Sequence, residues 1–87
     1  MKKIRTLVVD DEPLARRRIL RLLEGFDDIQ VVGESKNGRE ALRLLGDYRP
    51  DLVFLDIQMP DFNGFDVLAK AEGAPLPFII FVTAYDQ

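Results

Sequence analysis

The chain alternates between two hydrophobic periods. Thr6-Leu7-Val8-Val9 is a short apolar, β-branched run that breaks at Asp10-Asp11-Glu12-Pro13. It predicts a strand, a loop and then a helix, because proline's fixed φ suits the first helical turn. Between Leu14 and Leu23, Ala15, Ile19, Leu22 and Leu23 fall at i, i+4, i+7 and i+8, one face of a helix. Arg16, Arg17, Arg18 and Arg21 are expected on the opposite, solvated face. Gly25 is expected to stop this helix. Ile29 to Glu34 predicts a second strand, Asn37-Gly38 a turn or helix start, and Glu40 to Leu45 a short helix ending at Gly46. Asp51-Leu52-Val53-Phe54-Leu55-Asp56 is nearly continuous apolar between two acids, the pattern of a strand buried on both faces of a parallel sheet. A loop from Met59 to Gly64, a short helix from Phe65 to Ala71, a second loop from Gly73 to Pro77 and a further buried strand from Phe78 to Thr83 complete the pattern.

The order β-α-β-α-β-α-β with tight connections predicts one α/β domain over residues 1–87, a three-layer sandwich around a parallel sheet. Ligands in such sheets bind outside the carboxyl ends of the strands. The predicted ends of the first, third and fourth strands are Asp10-Asp11, Asp56 and Thr83. Four reactive side chains therefore meet at one edge.

Composition removes most other chemistry. The 87 residues contain no Cys and no His, which excludes disulfides, zinc fingers, thiol catalysis and every His-dependent triad. There is no run of about 18 apolar residues that could span a membrane, and the basic N-terminus is followed by no apolar signal segment. Net charge is −3 and uneven: residues 1–49 carry 11 Lys and Arg against 9 acids, residues 50–87 one Lys against 6. That balance lacks the basic footprint of a nucleic-acid binder. Neither G-x-G-x-x-G nor G-x-x-x-x-G-K-[ST] occurs, so nucleotide binding has no support.

Carboxylates gathered at one strand edge raise one another's pKa or recruit a cation. Mg²⁺ takes about six oxygen ligands and keeps several waters, which suits two or three carboxylates, one carbonyl and solvent. Acids before a helix also act as caps, so Asp10-Asp11-Glu12 alone is ambiguous. Asp56 shifts the balance, because an acid closing an otherwise apolar strand needs a reason to be there. With Mg²⁺ held by the acidic pair, Asp56 is the candidate nucleophile toward phosphorus, forming an aspartyl phosphate. The Thr83 hydroxyl is a candidate donor to the transferring oxygens.

Val8-Val9-Asp10-Asp11-Glu12-Pro13, then Leu55-Asp56-Ile57-Gln58-Met59-Pro60 with Gly64, then Phe81-Val82-Thr83-Ala84 resemble the receiver (CheY-like) domain of bacterial two-component response regulators. The resemblance covers essentially the whole chain. It implies a flavodoxin-like, doubly wound parallel sheet of order 2-1-3-4. It implies phosphoryl transfer from a histidine kinase phosphohistidine to Asp56, with Mg²⁺ bound by Asp10, Asp11, Asp56 and the backbone carbonyl of Gln58. Thr83 matches the switch hydroxyl, Met59-Pro60 and Gly64 the loop shaping the site, and Tyr85 a position that modulates phosphotransfer. The implied protein is cytoplasmic, its partner a sensor histidine kinase, with no nucleic acid or membrane bound by this chain. It is a regulatory phosphoacceptor that catalyses only its own phosphorylation and dephosphorylation. Asp10-Asp11-Glu12-Pro13-Leu14-Ala15-Arg16 and Phe81-Val82-Thr83-Ala84-Tyr85-Asp86-Gln87 look most like receivers of LytTR/AlgR-type regulators, so the controlled output is expected to be transcription.

One departure is large. Family members continue into a fourth helix, a fifth strand carrying a Lys, and a fifth helix, whereas this sequence stops at Gln87. Lys36 and Lys70 fall at helix or loop positions instead. The expectation is a receiver truncated after the fourth strand, self-associating through that uncovered strand or through the first helix near Leu20. Two other readings compete. A metal-dependent phosphatase or hydrolase is disfavoured because Asp10 and Asp11 are adjacent, without D-x-D spacing. A silent interaction module is disfavoured because acceptor, acidic pair and Thr83 are all present.

Overall fold

The computed structural model describes residues 2–57, 59, 66, 67, 69 and 76–82. Element order is β1 (Ile4–Val9), α1 (Pro13–Leu23), β2 (Ile29–Ser35), α2 (Gly38–Tyr48), β3 (Leu52–Asp56) and β4 (Phe78–Val82). Asp66, Val67 and Ala69 are helical, within the span predicted for the third helix. All strand pairs are parallel, in the order β2-β1-β3-β4. The expected doubly wound order is therefore observed. The reversal beside β1 places a crevice at the carboxyl ends of β1 and β3.

Period two in β1 divides the packing. Leu7 and Val9 join Val53 and Leu55 of β3, Ala41 and Leu44 of α2, and Val67 in one buried cluster. Val8 and Leu23 are buried outside that cluster, consistent with α1 on the opposite face of the sheet. Gly33 of β2 lets α2 come close: a Cβ there would meet Leu7 Cδ1 at 3.3 Å and Tyr48 at 3.5 Å. The register slips between Thr6 and Leu7, where the β2 partner jumps from Val31 to Gly33.

Three expectations need correction. The second helix does not end at Gly46 but runs to Tyr48 and closes on Arg49, in the left-handed conformation at φ 47°, whose N–H donates to Leu45 O. The packing of Ala41 and Leu44 outweighs a glycine's cost of about 1 kcal/mol, and Pro50 is what forbids continuation. Gly46 is exposed, and a Cβ added there would find nothing within 4 Å. Gly46→Ala should therefore raise stability by about 1 kcal/mol, read in thermal melts.

Leu22 lies 67 % exposed and Leu14 66 %, on the arginine side of α1, while the inward flank is Ala15, Ile19, Leu20 and Leu23. Position 22 sits at the margin of the 3.6-residue stripe, and the sheet takes the other margin. α1 ends near Gly25, as expected, but through tight i→i+3 bonds from Glu24, Gly25 and Phe26 rather than a left-handed glycine. Finally, β4 is not buried on both faces: Phe78 is 83 % exposed, and Ile80 and Phe81 are also exposed. Among the described residues it pairs with β3 alone, the edge position that the expected order 2-1-3-4 gives it.

Candidate metal and phosphoacceptor site

β1 closes on the apolar run Leu7-Val8-Val9, and the chain then delivers Asp10 and Asp11 in succession at its carboxyl end. β3 pairs with β1 in register, Val9 against Leu55, so Asp56 emerges one step further along the same edge. Ligand oxygens of Asp10, Asp11 and Asp56 all lie within 4.8 Å of one another. Asp10 and Asp56 are buried, at 4 % and 8 % exposure, and Asp11 is exposed at the mouth. The three carboxylates predicted from sequence are thus brought together. Gln58, Pro60, Gly64, Thr83 and Tyr85 lie outside the described residues.

The loop that holds the pair is fixed locally. Asp10 N–H donates to Ser35 O at the end of β2 (3.0 Å), and Asp10 Oδ1 accepts from Glu12 N–H (2.9 Å). This turn leaves Glu12 as the N-cap of α1 with no side-chain capping bond, and Pro13 opens the helix. The acids therefore do not serve as conventional helix caps. On the other side of β2, Ser35 Oγ donates to Asn37 O, and Asn37 Oδ1 caps α2 by accepting from Glu40 N–H at 2.8 Å. Asn37-Gly38 is thus the helix start that the sequence predicts, and it shapes the neighbouring loop.

Burial pushes the Asp10 carboxyl above its ordinary value, and the Asp11 charge adds to this. The Glu12 N–H, the Arg16 guanidinium and a hydrogen bond with Asp56 oppose it. Arg16 is a residue that sequence reasoning misplaced: its guanidinium turns inward, donating to Asp10 O at 2.7 Å and pairing with Glu34 at 3.3 Å. The signal was present, since Arg16, Leu20 and Leu23 fall at i, i+4 and i+7. A cluster of three carboxylates with no sulfur or imidazole suits a hard divalent cation, and two of its members are already withdrawn from water.

A family model for the response regulator receiver domain matches residues 6–87. The chain belongs to the response regulator receiver family. Its relatives include the transcriptional regulatory protein BtsR of Salmonella typhi, 46 % identical over 84 residues, covering 97 % of this chain and 35 % of that protein. An uncharacterized response regulatory protein of Vibrio vulnificus is 44 % identical over 81 residues, covering 93 % and 34 %. This receiver thus spans about a third of the length of the curated relatives it matches. Among solved structures, the signal receiver domain of a response regulator designated NarL, from Mycobacterium tuberculosis, superposes with TM-score 0.87 at 35 % identity, covering 100 % of this chain and 71 % of that one. The response regulator domain of Thermotoga maritima CheB gives 0.79 at 32 % identity, covering 94 % and 61 %. The receiver is accordingly a two-component signalling domain of CheY-like fold. Among the described residues, no helix is long and apolar enough to cross a membrane.

Proposed function

We propose that this receiver accepts a phosphoryl group on Asp56 from the phosphohistidine of a sensor histidine kinase. The observation that carries the reading is the convergence of Asp10, Asp11 and Asp56 at the β1 and β3 ends of a receiver fold. One Asp56 oxygen attacks phosphorus, the P–N bond to the kinase imidazole breaks, and the imidazole leaves with a proton. Asp10 and Asp11, with Asp56 and the Gln58 carbonyl, would hold Mg²⁺. The ion, when bound, neutralises charge on the phosphoryl oxygens. Burial of Asp56 limits competing attack by water. In this reading Thr83 supplies the hydroxyl that follows the phosphoryl group, and the chain catalyses no reaction beyond its own modification.

The finer assignment is to receivers of LytTR/AlgR-type regulators that control transcription. The Asp10-to-Arg16 and Phe81-to-Gln87 segments support it, as do relatives named as transcriptional regulatory proteins. The apolar edge of β4 supports self-association, which sedimentation across a concentration series tests. A constant monomer mass overturns it. Intact mass after incubation with acetyl phosphate tests phosphoacceptance. One added phosphoryl group with Mg²⁺ and none with excess chelator is the expected pattern. Equal uptake in both contradicts a metal-dependent site.

A further inference from the structure

We infer that Arg16 is a positioning residue for the metal site, setting the angle between the carboxylates of Asp10 and Asp11. This rests on the proposed cation site at Asp10, Asp11 and Asp56. Arg16 is the arginine of α1 that turns inward, its side chain only 20 % exposed, while Arg17, Arg18 and Arg21 face solvent. Its Nη1 donates to Asp10 O at 2.7 Å, and its Nε donates to Glu34 Oε1 at 3.3 Å. That carbonyl belongs to the peptide joining the two acids. Its orientation is set by Asp10 ψ and Asp11 φ, the two dihedrals that decide how the carboxylates diverge.

The preceding peptide is already pinned, because Asp10 N–H donates to Ser35 O. Arg16 pins the next one. Glu34 on β2 holds the guanidinium in place, so β2 fixes the acidic pair twice, once through its backbone and once through this side-chain pair. A planar fork can serve both partners at once, whereas an ammonium is a point charge on a flexible stem. The charge of Arg16 acts in two opposed ways, repelling a metal ion directly while favouring the ionised Asp10 carboxylate, and any substitution that keeps the charge leaves both in place.

Arg16→Lys separates geometry from charge, since the charge is retained and the fork is lost. Calorimetric Mg²⁺ titration should show about tenfold weaker binding, the scale on which partners of metal ligands act. In the metal-free protein, hydrogen exchange at the Asp11 and Glu12 amides should accelerate. Glu34→Gln, which spares the bond to Asp10 O, should weaken Mg²⁺ binding by a smaller factor, and Arg17→Lys should leave it unchanged. Asp11→Asn reports on the site itself. If Asp11→Asn weakens binding while Arg16→Lys binds and exchanges as wild type does, the positioning role is overturned and the site stands. If wild type binds no Mg²⁺, or Asp11→Asn binds it equally well, both fall.

Discussion

Asp56→Asn abolishes phosphoryl uptake while leaving the fold intact. Asn matches Asp in volume, and position 56 is the last residue of β3, at 8 % exposure, so the sheet loses no apolar contact. An amide oxygen is far less nucleophilic toward phosphorus than a carboxylate, and no Cys or His exists in the chain to substitute as acceptor. The loss should therefore be complete, with no added phosphoryl mass at any time point under conditions that fully label wild type. Circular dichroism and thermal melts of the unlabelled variant should match wild type or exceed it, because a buried charge beside two other acids is removed. Uptake at the wild-type rate would show that the acceptor lies elsewhere.

Asp10→Asn should separate stability from metal binding in opposite directions. Burial is the main reason the Asp10 carboxyl sits above its ordinary value, with the Asp11 charge second. The sign follows from linkage. With the folded pKa above the unfolded one, folding disfavours the ionised form. The penalty is absent below the unfolded value, near 3.8, and fully present above the folded one. Metal-free wild type thus gains stability at this group as pH falls through the folded pKa, opposite to a salt-bridged carboxylate. Asn keeps an oxygen to accept from Glu12 N–H and brings an N–H₂ toward Asp56, so the variant should melt higher than wild type at neutral pH without metal. With Mg²⁺ the order should reverse. Wild type is stabilised by mass action, and the variant, having lost a ligand, should bind more weakly by at least about tenfold. Paired melts with and without Mg²⁺ across pH check both halves. A variant that is less stable without metal and stabilised equally by Mg²⁺ would contradict the description of Asp10 as a metal ligand whose burial disfavours its ionised form.

The parts of this receiver that were legible in the sequence are those set by period and by chemistry at strand ends. Continuous apolar runs in β1 and β3 announce buried parallel strands, and the acids that end them announce the edge where they meet. What failed depended on tertiary context. The apolar run of β4 looks the same as that of β3 in one dimension, so its edge place followed from the expected order 2-1-3-4 while the exposure of Phe78, Ile80 and Phe81 did not. Gly46 punctuates a helix only when packing does not carry it through, and Ala41 and Leu44 do. Arg16 is indistinguishable by residue type from Arg17 and Arg18. Only its offset from Leu20 and Leu23 turns it toward the acidic pair. Gly33 matters because α2 packs closely over β2 there, which no local pattern contains.

Chemical trapping of the aspartyl phosphate locates the phosphoryl group on the chain. Acetyl phosphate-treated receiver, reduced with borohydride and mapped by peptide mass spectrometry, converts any aspartyl phosphate to homoserine at its own position. The predicted result is homoserine at position 56 and at no other Asp, present with Mg²⁺ and absent with chelator. Homoserine at another position, or none in protein that has gained phosphoryl mass, would contradict Asp56 as the acceptor.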